Sequence, residues 1–399
     1  MPLSFALYRS LFKQLVVAAL IGVLAGLISA GFLKSLDWAT DSRLDHGWLI
    51  YLLPLAGLLI GCSYHYLGHR AVGGSNLILE EINEPGAGVP RRMAPMVYAG
   101  TVITHLTGGS AGREGAAVQI VASLTDGFAR FFKPSMHTRR LLLITAVAGG
   151  FGAMFGVPVG GAVFALEFQH HRRINYDAFV PAFTASIIGD RVVRKFDIHH
   201  LAVHKLTNVN IDTSLLWRIV LASVVFAAVA ATFIYLVHAI KNWSTKLISW
   251  PPLRPVVGGA LLLLLTTLVD SRDYLGLSTS LAETALTGAV GIVALAFVWK
   301  LLFTSVTLGT GFVGGEVLSL FIIGALVGAQ TGRLLDASIP LFAILGFVGV
   351  FAAAANTPVT CIVIGAELFG TTALVPIAIV CVLSYAFSGK SSIYSSQRR

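Results

Sequence analysis

The chain has 399 residues, 56% of them hydrophobic and only 12% charged, about half the charged share of a soluble domain. That is too little polar side chain to coat a core of this size in water. A soluble globular protein is excluded, and lipid is the solvent around most of the molecule. The formal net charge of +9 does not form a nucleic-acid patch, because Arg91-Arg92, Arg139-Arg140, His170-His171-Arg172-Arg173 and Arg398-Arg399 sit in short connectors beside apolar spans. This is the pattern that orients a membrane protein with its positive loops inside.

In chain order, Arg9 and Lys13 precede the first span, which predicts both termini in the cytoplasm. That first apolar run continues to full length rather than ending at a cleavage site. Spans are predicted at 15–36 and 48–67, each near the roughly 20 residues that cross a bilayer. "GGSNLILEE" then breaks the pattern, with Ser75 and Asn76 as uncharged donors at the start of a short helix. "GGSAGREGAAVQI", residues 108–120, sets an Arg and a Glu side by side among small residues. A helix is predicted to open near Arg113 or Glu114. Helix N-termini present unpaired N–H groups and partial positive charge, so they attract anions. A Glu there is a first-turn stabiliser or a tethered anion competing for the same seat. At membrane depth an ionisable side chain points to function.

Short apolar pieces follow. The run 144–155 stops at "GVPVGG", where 159–168 begins. Spans are predicted at 215–240, 255–269 and 286–307. "GTGFVGGEV" then repeats the glycine-rich break and ends on Glu316. The run 339–355 stops at "NTP" and resumes at 359–368. Such Gly/Pro-punctuated pieces mark broken helices that line a pathway. Pro158 and Pro358 lie 200 residues apart, Glu114 and Glu316 202, Pro54 and Pro255 201, and Gly74 and Gly276 202. One offset near half the chain predicts two homologous halves, about 10–205 and 212–395, in a single integral membrane domain, with the polar "HKLTNVNIDTS" between them. Two Glu residues, Glu167 and Glu367, each lie nine positions after a helix-opening Pro, as structural caps or as transport charges.

Other chemistries find little support. Cys62, Cys361 and Cys381 have neither paired nor zinc-ligand spacing. "GTGFVG" follows a membrane span rather than a strand, "SGKSS" lacks the upstream Gly of a P-loop, and neither HExxH nor GxSxG occurs. The pairs His170-His171 and His199-His200 read as interfacial decoration. No enzyme, metal or cofactor is expected.

The motifs resemble the CLC family of anion channels and proton-coupled anion antiporters over nearly the whole chain. "GREGAAVQI" resembles the family's GREG-P-x-VQ signature, whose Glu, here Glu114, is the external gate. "GGSNLIL" stands where chloride-type members carry GSGIP, and "GTGFVGGEV" where they carry GGxFxP. The implied fold is all-α and polytopic, with two inverted-topology halves, broken re-entrant helices and a homodimeric assembly. Glu316 replaces the chloride-type Phe, "GSNLI" lacks the Pro, and Phe168 stands where chloride/proton antiporters carry an internal Glu. These features, with "GGSAGREG" and "AANTP", resemble the branch that exports fluoride in exchange for protons. The sequence departs from that branch at Leu318-Ser319, where GGEVTP is common, and at Ser75, where Met is frequent.

The resemblance implies a mechanism. Glu114 swings between the anion path and the outside, and Glu316 relays protons further in. Ser75, Asn76 and Tyr394 hold the anion, with Arg113 beside them and the backbone N–H groups of Gly115 and Val317 helping. HF is a weak acid, so a protonated Glu shares its proton with fluoride far more readily than with chloride. The partners are then fluoride or chloride, protons, the lipid bilayer and a second copy of the chain, with no nucleic acid. The location is the inner membrane. The alternative is a chloride channel or chloride/proton antiporter of the same family, which Ser75 favours and Glu316 disfavours.

Overall fold

The computed structural model describes residues 5–169, 175–198, 206, 209–288, 294–389 and 391–397. His170 to Arg173, His199, His200, Lys390 and the terminal arginine pair lie outside them, as does part of the linker. The described residues form sixteen α-helices. The first eight are α1 (Phe5–Asp45), α2 (Leu53–Ser63), α3 (Gly74–Asn83), α4 (Met93–Thr107), α5 (Glu114–Ala129), α6 (Met136–Phe155), α7 (Pro158–Glu167) and α8 (Phe179–Arg194). The second eight follow the same order: α9 (Thr213–Leu247), α10 (Leu253–Val269), α11 (Thr279–Thr287), α12 (Ala296–Thr310), α13 (Val317–Leu334), α14 (Ile339–Ala355), α15 (Pro358–Phe369) and α16 (Leu374–Phe387). Each half thus opens on a long helix of 41 or 35 residues and carries a very short third helix of 10 or 9.

Length divides the helices by role. At 1.5 Å per residue α1 and α9 exceed the roughly 30 Å hydrocarbon layer, whereas α3, α7 and α15 cannot cross it. Leu20, Leu27, Leu264 and Leu268 on α1 and α10 are exposed, as a lipid-facing surface requires. The breaks follow local chemistry. Gly156 (φ 76°) and Asn356 (φ 55°) take the left-handed conformation that ends α6 and α14. Pro158 and Pro358 then open α7 and α15, where a missing N–H costs nothing. Two spans differ from expectation. The run 286–307 is not one helix, because α11 ends at Gly288 (φ 71°) and α12 starts only at Ala296. The run 48–67 falls inside a helical stretch, Gly47–Asn83, whose winding changes on both sides of α2.

The halves are tied together reciprocally. The carboxylate of Glu167, at the end of α7, accepts from Val359 N (3.0 Å) and Thr360 N (2.7 Å) at the start of α15. Glu367, at the end of α15, accepts from Val159 N (2.9 Å) and Gly160 N (2.7 Å) at the start of α7. An exchange of equivalent contacts of this kind is the mark of a two-fold relation between two halves. Both carboxylates are caps, satisfying N–H groups that a helix start leaves open. Behind them, Phe151, Phe155, Phe164, Phe321, Phe347 and Phe351 stack in one continuous aromatic core.

Candidate functional site

The two glycine-rich breaks meet. Gly112 N donates to Gly315 O (2.5 Å) and Gly315 N to Gly112 O (2.8 Å), a second reciprocal contact. A Cβ on Gly315 would sit 2.9 Å from Gly115 N and 3.3 Å from the backbone nitrogens of Arg113 and Glu114. Only glycine lets the backbones approach this closely. The clasp brings the N-termini of α5 and α13 together, so two partial positive charges face one buried point.

The carboxyls at this point are crossed. Glu114 opens α5, yet its Oε2 accepts from Leu318 N (3.2 Å) in the first turn of α13, and also from Arg113 N (3.3 Å). Glu316 precedes α13, yet its carboxyl oxygens lie 3.3 and 3.5 Å from where a Cβ of Gly115 on α5 would be. Each Glu thus seats its carboxyl over the other half's helix. Glu114 is fully buried, and its Oε1 has no hydrogen-bond donor, with Arg113 Nε 3.6 Å away. Oε1 of Glu316 is likewise unpartnered. The Tyr394 hydroxyl faces the Glu316 carboxyl. Its ring stands edge-on to Phe168, with centroids 4.8 Å apart and planes at 88°.

Sequence-predicted residues therefore fall into two groups. Glu114, Arg113, Gly115, Glu316, Val317 and Tyr394 converge around the crossed helix starts. Ser75 and Asn76 lie at the start of α3 with their side chains engaged by protein: Ser75 Oγ accepts from Gln119 Nε2 (3.0 Å), and Asn76 Oδ1 accepts from Ser396 N (3.0 Å). The Asn76 contact ties α3 to the segment carrying Tyr394. Ser319 Oγ is buried in the first turn of α13 and has no partner.

Several supporting residues escaped sequence reasoning. Lys300, fully buried in α12, donates to Ser110 Oγ (2.8 Å), Gly276 O (2.9 Å) and Ser278 Oγ (2.9 Å), which pins the break that leads to Glu114. Its signal was available, as a lone Lys inside an apolar span. Asn356 Nδ2 donates to Ser391 O (3.4 Å) and Gln397 Oε1 (3.3 Å), and Ile393 N donates to Ala354 O (2.9 Å). The end of α14 thus holds the Tyr394 segment in place. Among the described residues no group of His, Cys, Asp and Glu could hold a metal ion.

Chemically, the arrangement offers helix-start N–H groups, a phenolic hydroxyl and two carboxyls that occupy anion seats. A small anion can replace either carboxylate, and the displaced carboxyl can leave carrying a proton. The chain is similar to known proteins along nearly its whole length. The family model described as voltage gated chloride channel matches residues 56–389. A chloride/fluoride channel protein of Pseudomonas syringae pv. tomato is 39% identical over 392 residues, covering 97% of this chain and 86% of its own. The crystal structure of a CLC-type fluoride/proton antiporter superposes with a TM-score of 0.94 at 30% identity, covering 98% of this chain and 99% of that one. The H(+)/Cl(-) exchange transporter ClcA of Klebsiella pneumoniae is 28% identical, covering 96% of this chain and 87% of its own.

Proposed function

The chain belongs to the voltage gated chloride channel family, and from that premise we propose that it is a fluoride/proton antiporter, with Glu114 as external gate and Glu316 in the proton and anion path. The observation that carries this reading is the crossed pair of carboxyls at two facing helix starts. A carboxylate on a helix N-terminus stands in for an anion. When fluoride takes the seat of Glu114, the carboxyl leaves neutralised and moves one proton the other way. Glu316 and Tyr394 form the inner part of the route. Because HF is a weak acid, a protonated Glu316 can share its proton with fluoride in a way it cannot with chloride. Arg113, Gly115, Val317, Ser75 and Asn76 support the anion from the surrounding helix starts.

The working unit is one multi-pass domain in the inner membrane, with pseudo-repeats about 10–205 and 212–395, both termini cytoplasmic and two copies paired as a homodimer in the bilayer. A chloride-conducting reading has its own support in the Ser75 hydroxyl at the start of α3 and in the chloride/fluoride description of the Pseudomonas relative. Proteoliposomes decide between them. An outward fluoride gradient should drive proton uptake, and fluoride should leave much faster than chloride. Equal rates for the two anions would remove the fluoride assignment, and absent proton movement would remove the coupling.

A further inference from the structure

The far end of α5 carries a second built feature. With 16 residues, α5 runs about 24 Å from the buried site, more than half the bilayer thickness, so its C-terminal end lies at headgroup level. There a cleft of about 660 Å³ is lined by His69, Arg70, Gly88, Arg91, Arg92 and Arg130, among others. Among the described residues no carboxylate lines it. The nearest ones, Glu81 and Asp126, are buried and saturated: Arg139 bridges both, at 2.9 and 2.6 Å, and the N–H groups of Gly86, Gly88 and Val89 complete them.

The arginines of the cleft are held largely by neutral groups. Arg91 donates to Gly127 O (2.8 Å) and stacks 4.3 Å from the Phe131 ring centroid. Arg92 donates to Leu67 O (3.0 Å). Arg130 donates to Val89 O (2.5 Å) and Arg70 to Gly88 O (3.0 Å), although each also contacts one of the saturated carboxylates. Their orientation is set without full neutralisation, which is how a planar guanidinium is prepared for a phosphate. Beside the cleft, Tyr66, Leu67, Val72 and Phe131 are exposed by 60 to 66%. A cationic cleft edged by exposed aromatic and aliphatic side chains matches a lipid, with an anionic head and acyl chains, better than a soluble anion.

We propose that this cleft binds the headgroup of an anionic phospholipid, its phosphate seated on Arg91, Arg92 and Arg130 and its chains lying along Leu67 and Phe131. The test uses the full-length protein in detergent, titrated with phosphatidylglycerol, phosphatidylcholine or inorganic phosphate and read by native mass spectrometry and thermal stability. Wild type should retain phosphatidylglycerol and melt higher with it, and neither phosphatidylcholine nor phosphate should reproduce the effect. Arg91→Gln with Arg92→Gln should weaken retention about 25-fold, roughly fivefold per guanidinium. Lys241→Gln with Lys246→Gln, outside the cleft, should leave retention unchanged. If the double variant fails to fold, Arg92→Gln alone should weaken retention about fivefold. Equal retention by wild type and cleft variant would overturn the proposal, as would complete competition by inorganic phosphate. Because the readout is lipid retention, a failed transport assay leaves this result separate.

Discussion

Two glutamates with the same local setting have different surroundings. Glu114 is fully enclosed and bonded to Leu318 N, whereas Glu316 is partly accessible and faces a phenol. That asymmetry predicts different losses. Glu114→Ala empties the seat on α13 and removes the gate, so coupled transport should disappear. Glu316→Gln keeps the side chain's size and its place over Gly115 but cannot carry a proton. Proton uptake driven by fluoride should fall by about 100-fold or more, with the protein still folded. Parallel anion-electrode and pH-electrode traces on proteoliposomes check both, and unchanged proton uptake in Glu316→Gln would remove Glu316 from the path. Both glutamates were visible in the sequence as charges in glycine-rich breaks. Their crossed seating was not, because it depends on how residue 114 meets residue 318 in space.

Helix boundaries were most legible where backbone chemistry is restrictive. The stops at "GVPVGG" and "NTP" fall where Gly156, Asn356 and two prolines end and restart helices. The run 286–307 was misread because its residues are apolar on both sides of Gly288, and hydropathy does not register a helix end set by one left-handed glycine. Glu167 and Glu367 were ambiguous for a related reason, since a cap on another helix leaves no local pattern. The Gly112–Gly315 clasp is the element-level feature most open to test. Gly315→Ala drives a Cβ to 2.9 Å from a backbone nitrogen, and overpacking of this kind costs about 1–3 kcal/mol. Its melting temperature should drop and transport should be lost together. Gly389→Ala is the contrast for space, since a Cβ there meets nothing within 4 Å, and although its positive φ (74°) adds some backbone strain, transport should persist. A Gly315→Ala protein with wild-type stability and flux would mean the helix starts do not need this approach.

At the scale of the whole molecule, the two halves exchange three kinds of contact: the glycine clasp, the crossed gate carboxyls and the Glu167 and Glu367 caps. Their common offset could be read from the sequence, whereas the direction in which the halves face each other could not. Each half is therefore a lock holding the other's key. A chain cut in the linker near residue 210 and expressed as two pieces should behave accordingly. Either piece alone has helix starts without their stoppers and should be degraded. The two together should reassemble, copurify and recover fluoride transport, measured by affinity pull-down and liposome flux. Recovery of transport by one piece alone would contradict the crossed arrangement. The exchange also means that neither half can be redesigned by itself, because a change made to one helix start is felt by a carboxyl encoded some two hundred residues away.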